Sequence, residues 1–325
     1  MPEWLYEAGI GEDRAALIED GEIIEALIEL PGQLRPGAIV EVRLAKLLAP
    51  DRRGLAVLDD GSEAMLEPLP PGVPEGARLL VEVTRETLGA KRPQVRAAPP
   101  DAAPRRAPSL PERLTATGHP VTTLRPHEPD RLEAAGWSEL LEEAATGHIP
   151  FAGGTLLVTL APAMTLIDVD GTLAPLPLAL AGAAAAGRTI RRHGLAGSIG
   201  IDLPTLAGRA ERTQAGEALD ATLPRPFERT AVNGWGFVQI VRPRARASLL
   251  KLIQADPAAA AARALLRRAT RDRSLGPRTL VAAPPVIASI DEPARAELAR
   301  RLGAPVALRA DPALAISAGH VHAAA

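Results

Sequence analysis

The chain has no cysteine. That excludes a disulfide framework and every thiolate metal site, and it fits a reducing compartment, so a cytoplasmic location is the expectation. Aromatic side chains make up 2% of the residues, so stacking of bases on rings, the usual sequence-tolerant grip on a single strand, has little to work with. No long apolar run is present. The most apolar stretch, Leu173 to Gly187, is built largely from Ala, Pro and Gly and ends at Arg188, which is too weak to span a bilayer, and no membrane segment is expected. The opening MPEWLYEAGIGEDR is acidic and lacks a basic start followed by an apolar core, so neither a secretory signal nor a transit peptide is expected. The net charge of -2 argues against a uniformly basic surface of the kind that holds duplex nucleic acid.

What is there is globular: 325 residues, 46% hydrophobic and 23% charged, enough for two or three modest domains. Charge is unevenly placed. Residues 1–30 carry nine acidic side chains against Arg14 alone, whereas Arg85, Lys91, Arg92, Arg96, Arg105 and Arg106 crowd one later stretch. Arg242, Arg244 and Arg246 form a second basic group. Each group reads either as solvated surface or as a local phosphate track.

Ala15 to Leu30 has two apolar-rich stretches around Asp20-Gly21, a pair that favours positive φ, and predicts a two-stranded start within residues 1–35. Residues 36–98 hold short β-type runs, GAIVEVRLAKLL, GLAVLDDG, EAMLEPL and RLLVEVTRE, separated by turns, which predicts a small OB-type barrel. Residues 99–150 are rich in Pro, Ala and Arg, with a helix expected only over Glu128 to Ala145, and read as a linker or a reduced subdomain. Residues 151–247 alternate strands (Thr155–Thr159, Met164–Val169, Ser198–Ile201, Val238–Val241) with a helix over Leu178–Arg192. Residues 248–325 repeat that logic in a small α/β domain, with helices capped by Asp256 and Asp291 and strands at Thr279–Ala283, Pro305–Arg309 and Leu314–Val321. The class is therefore α/β in the mixed α+β sense.

The chemically loaded segment is Met164-Thr-Leu-Ile-Asp-Val-Asp-Gly-Thr172, an apolar strand that delivers Asp168 and Asp170 to its carboxyl end, where α/β sheets place ligands. Acids two residues apart on a strand point to one face. Asp202, ending Gly197-Ser-Ile-Gly-Ile-Asp202, is the second contributor. Carboxylates converging from adjacent strand ends suit a hard cation such as Mg2+. A strand-end Asp that merely caps a turn is the alternative. Asp168-Val-Asp-Gly-Thr172-Leu also resembles the first motif of haloacid-dehalogenase-type phosphohydrolases, which implies Asp168 as nucleophile and Asp170 as general acid. The lysine and paired-acid motifs of that family do not follow, since Lys251 is the only later lysine.

A resemblance spread along the chain points elsewhere. Phe151-Ala-Gly-Gly-Thr-Leu-Leu-Val with Ala163-Met-Thr-Leu-Ile-Asp168-Val-Asp170, Leu195 to Asp202, Thr230 to Arg244 (TAVNGWGFVQIVRPR), Glu75 to Thr84 and Gly89-Ala-Lys91 together resemble the ribonuclease E/G family. The resemblance implies a magnesium-dependent endoribonuclease acting on single-stranded RNA. It also implies an RNase H-like core with the OB-type barrel inserted into its N-terminal hairpin, and a small C-terminal domain. Asp168 and Asp202 then hold the metal, and Asp170 stands where the family has an asparagine. Pro162 replaces the family's acidic residue before the catalytic strand, so an RNA-binding protein with weakened or lost cleavage is the nearest alternative. The family's cysteine pair has no counterpart, which excludes a zinc-linked dimer and leaves other oligomers open. The family's 5′-phosphate sensor corresponds to the compressed residues 99–150.

For RNA contact, Lys91, Arg242, Arg244 and Trp235 are the candidates. Arg242 and Arg244 alternate with Val241 and Pro243 and are expected to project together toward phosphate. Trp235 fits core packing first and a nucleotide contact second. On the barrel, Val57 and the Met65-Leu66 pair stand where the family offers rings. His320 and His322 share a strand face without a third ligand, and His193 ends a basic helical stretch, where a structural role suffices.

Overall fold

The computed structural model describes residues 1–48, 52–89 and 91–323 and is mixed α+β, with a closed five-stranded barrel and three further sheets. The chain falls into two compact units: Met1–Leu30 with Gly118–Arg242 and Ser248–Ala325, and Pro31–Thr117 with Pro243–Ala247. Among the described residues no helix is long and apolar enough to cross a membrane.

The first unit opens with three strands, β1 (Glu3–Ala8), β2 (Asp13–Glu19) and β3 (Glu22–Glu29), rather than the expected two. Asp20 (φ 51) and Gly21 (φ 85) both take positive φ, the requirement of the tight turn that closes β2 on β3. β1 escapes a search for alternation because Trp4, Leu5, Tyr6 and Glu7 are all buried, so both of its faces are covered.

The second unit carries β4 (Ile39–Leu48), β5 (Arg53–Val57), β6 (Glu63–Leu66), β7 (Arg78–Arg85) and β8 (Gln94–Ala97), closed in the order β4-β5-β6-β8-β7, and the helix α1 (Leu110–Thr115). Val42, Leu44, Ala56, Ala64, Leu66, Val81, Val83 and Val95 alternate inward to fill it. Gly54 is needed there, since a Cβ on it would lie 2.5 Å from Leu44 Cδ1 and 3.2 Å from Leu69 Cδ1.

Returning to the first unit, β9 (Val121–Thr123) pairs with β1, which makes the N-terminal sheet four-stranded. The helices α2 (Arg131–Ala134) and α3 (Trp137–Thr146) follow. The single helix expected over Glu128–Ala145 is split because Gly136 sits at φ 92. The stretch expected as a linker or a reduced subdomain holds helices and strands over about half of its length, with Leu124, Leu132, Trp137, Leu140 and Ala144 buried in the main core.

The central sheet has the order β10-β11-β12-β13-β15-β14. Its strands are β10 (His148–Phe151), β11 (Gly154–Leu160), β12 (Thr165–Gly171), β13 (Gly197–Asp202), β14 (Glu228–Arg229) and β15 (Phe237–Arg242). Between them run α4 (Pro175–Arg192) and α5 (Arg209–Thr222), the latter unanticipated because its polar composition hides its apolar stripe of Ala215, Gly216 and Leu219. Small residues let α4 lie close: a Cβ on Gly182 would sit 2.3 Å from Val169 Cγ1 of β12, and one on Gly187 2.1 Å from Thr222 Oγ1 of α5. α4 therefore covers the face of the sheet formed by Ile167, Val169, Ile199 and Ile201.

The C-terminal part adds α6 (Leu249–Ala255), α7 (Pro257–Arg271), β16 (Arg278–Ala282), α8 (Pro284–Ala288), α9 (Glu292–Leu302), β17 (Val306–Ala310) and β18 (His320–Ala323), with the sheet order β17-β16-β18. Asp256 and Asp291 cap α7 and α9 by accepting from Ala259 N and Ala294 N, and Gly303 ends α9 at positive φ. Leu314–Val321, expected as a strand, is instead a short 3-10 turn at Ile316–Ala318 followed by β18. Charge is buried between α7 and the N-terminal strands. Arg14 Nε donates to Glu7 at 2.7 Å, Arg14 also donates to Asp130 at 2.8 Å, Arg271 reaches Glu7 at 3.0 Å, and Arg263 reaches Glu12 at 3.0 Å. Burial and the neighbouring Arg14 push the Arg267 guanidinium down to about 10.

Candidate metal centre

β12 and β13 are adjacent and parallel, and their register sets Asp168 directly beside Asp202. Alternation then decides direction. Ile167, Val169, Ile199 and Ile201 point into the helix-covered core, so Asp168, Asp170 and Asp202 belong to the opposite face, where all three are exposed. Neighbouring strands run roughly 4.8 Å apart, so the two carboxylates start from backbone positions close enough to share an ion.

Among the described residues neither the Asp168 nor the Asp202 side chain has a hydrogen-bond or ion-pair partner. Like charges directly opposite destabilise a sheet, and here no cationic side chain offsets them. Asp170, one pleat further on and paired with Thr155, uses Oδ1 to accept from Gly171 N at 2.8 Å. The donor set is oxygen only and exposed, which fits a hard divalent cation that keeps several of its waters. Among the described residues no group of three or more His, Cys, Asp or Glu is poised around one point.

No family model matches the chain, and no curated protein matches it.

The same face carries one aromatic ring beside the acids. Phe237 is the register partner of Asp202 on β15, and its ring lies over Gly200: a Cβ on Gly200 would be 2.5 Å from Phe237 Cζ and 3.1 Å from Leu166 Cδ2. Gln239 Nε2 donates to Ser198 Oγ at 3.1 Å further along the face. Trp235, a candidate RNA contact for which core packing was the competing expectation, is 80% exposed, against the packing reading. Local turn chemistry explains the reversal: Asn233 Oδ1 accepts from Trp235 N at 2.9 Å and from Phe237 N at 3.0 Å, and Gly236 takes φ +92. Sequence reasoning passed over Phe237, Gly200 and Asn233, although the Asn-Gly-Trp-Gly string was a turn signal.

The other expected RNA contacts are distributed differently. Arg242 shares the parity of Val238 and Ile240, so it lies on the helix-covered side, away from the acids, and donates to Leu195 O at 3.2 Å. Burial lowers its pKa. Arg244 belongs to the barrel unit, where burial and then the nearby Arg85 lower its pKa. Arg242 and Arg244 thus fall in different units. Lys91 is exposed on the barrel unit, its side chain making no hydrogen bond or ion pair among the described residues; Ala90, within the Gly89-Ala-Lys91 stretch, lies outside the described residues.

Most of the upstream basic group is spoken for by the barrel's own glutamates: Arg92 pairs with Glu63 at 2.6 Å, Arg96 with Glu82 at 2.7 Å, and Arg106 with Glu112 at 2.5 Å. Leu66 is barrel core, whereas Val57 and Met65 are half-buried. A groove of about 790 Å³ lined by Leu47, Arg52, Arg53, Pro68, Leu69 and Pro70, among others, also belongs to the barrel unit rather than to the acids. Pro162 is exposed in the β11–β12 turn. His320 and His322 are exposed along β18, and His193 is buried against Glu143 at 3.0 Å.

Proposed function

We propose that this chain is a magnesium-dependent endoribonuclease that cleaves single-stranded RNA, built on the ribonuclease E/G plan of an RNase H-like core with an inserted OB-type barrel. The observation that carries the reading is the register pairing of Asp168 with Asp202, both exposed and both without a compensating cation. The barrel supports it through its order: the first, second and third strands are followed around the wall by the fifth and then the fourth, with the third and fifth parallel, as in OB-type barrels. The central sheet supports it through its mixture of directions, β11 antiparallel and β13 parallel to β12, with one face under α4 and the other open.

In this reading Asp168 and Asp202 would hold one magnesium ion through their carboxylate oxygens, with Asp170, which accepts from Gly171 N, as the neighbouring acid. The ion supplies Lewis acidity at a phosphodiester oxygen and lowers the pKa of bound water. The chain's own contribution is to hold two negative groups at fixed neighbouring strand ends on a rigid sheet, in the open, where an extended polynucleotide can reach them. The exposed turn at Trp235 is the proposed contact to the strand within this unit, and Lys91 is a separate proposed phosphate contact on the barrel unit.

Incubation of unstructured RNA with the purified chain tests the reading. Cleavage is expected with magnesium, is lost on chelation, and falls at least about a hundredfold in Asp168→Asn and in Asp202→Asn, the scale set by removing a principal electrostatic stabiliser, while circular dichroism stays unchanged. Cutting that survives in both variants sinks the proposal. Binding without cutting in the parent chain leaves the RNA-binding alternative in its place.

A further inference from the structure

We infer that Trp235 and Phe237 form a base-binding subsite beside Asp202, which takes one or two unpaired nucleobases of the RNA strand and so fixes which phosphodiester meets the carboxylates. The inference rests on the nuclease reading for its substrate and on separate geometry for its site.

Three observations carry it. Phe237 lies on the open face in register with Asp202, its ring laid over Gly200, where any side chain would collide with Cζ at 2.5 Å and Cε2 at 2.9 Å. The glycine thus gives the ring a flat backbone floor. Secondly, the turn that presents Trp235 is stitched to the residues that follow Asp202: Leu203 N donates to Gly236 O at 3.2 Å, and a Cβ on Gly236 would fall 2.1 Å from Leu203 O. With Asn233 bridging the amides of residues 235 and 237, the two aromatic positions are held relative to the strand end that carries the acid. Thirdly, Trp235 is 80% exposed while Trp4 is 2% and Trp137 0% exposed. A large ring kept in water by a braced turn gains nothing from packing within this unit, and its faces are open to a partner with a π surface. Every base has such a face, so stacking is tolerant of sequence.

Because the other two tryptophans are buried, contact quenching of intrinsic fluorescence by a bound base reports mainly on Trp235. Binding of a short single-stranded oligoribonucleotide, measured in chelator to prevent cutting by fluorescence quenching and by polarisation of a labelled strand, is the test. The expected result is quenching in the parent chain, its loss in Trp235→Ala with affinity about tenfold weaker, retention of most affinity in Trp235→Phe, and weakening in Phe237→Leu. An abasic strand of the same length is expected to bind the parent chain and Trp235→Ala equally. Unchanged affinity in Trp235→Ala, or equal binding of abasic and natural strands by the parent chain, overturns the subsite, as does failure to bind RNA at all. If the subsite fails while magnesium-dependent cutting persists, the nuclease reading stands alone. If stacking is seen without cutting, the subsite stands and the catalytic reading falls.

Discussion

Arg14 is the one cation among nine acids in residues 1–30, and its environment is the least forgiving in the chain. Its side chain is 1% exposed, bonded to Glu7 and Asp130 and stacked 5.2 Å from the centre of the buried Trp137 ring. Arg14→Met keeps much of the volume but leaves Glu7 with one cationic partner fewer in a dry place. A loss of about 3–5 kcal/mol in urea-derived stability is expected, and a loss below about 1 kcal/mol would show that Arg271 alone compensates both acids. Nothing local in the sequence reveals this network, because Asp130 and Arg271 reach it from 116 and 257 positions away (130 − 14 and 271 − 14). The exposure of Trp235 was hidden for the opposite reason. Ring size argued for the core, while the deciding information lay in the flanking Asn233 and Gly236.

At the scale of elements, β12 and β13 were legible because an apolar run ends abruptly in an acid, and a parallel pair in register turns that pattern into two neighbouring carboxylates. β1 and α5 were not, the first because burial on both faces erases period two, the second because polar residues outnumber its narrow buried stripe. The ion pairs that quieten the basic stretch were invisible too: Arg96 meets Glu82 and Arg92 meets Glu63 only through barrel pairing. The contact between α3 and α4 sets a pH dependence. His193, 0% exposed, faces Glu143 through Nε2, with its Nδ1 lacking a hydrogen-bond partner among the described residues and Arg192 close by. Burial, ahead of Glu143, lowers its pKa below the ordinary 6.5. The unfolded chain therefore binds a proton that the folded chain resists, so this contribution is present above pH about 6.5 and is lost as pH falls through that value toward the folded pKa. The thermal midpoint is expected to drop between neutral and mildly acidic pH, and His193→Gln is expected to flatten that drop. An equally steep profile in the variant would assign it to other groups.

For the whole molecule, the barrel and the central sheet fill separate cores that share no residue. A defect in one should stay there. Gly54→Val forces a branched side chain against Leu44, which is fully buried and has no room to withdraw. The expected cost is about 1–3 kcal/mol, with faster amide exchange over residues 39–97 and undisturbed protection at 165–202; uniform acceleration across both would contradict the separation. The twin carboxylates carry a last consequence. Placed abreast with nothing of opposite sign between them, they make the ion-free sheet hold together in spite of its own charge. Asp168→Asn relieves that repulsion, so this variant is expected to melt higher than its parent in chelator, by an increment that changes sign or vanishes when magnesium is added to both. Calorimetry and the cleavage assay would then move in opposite directions, the mark of residues kept for work rather than for solidity.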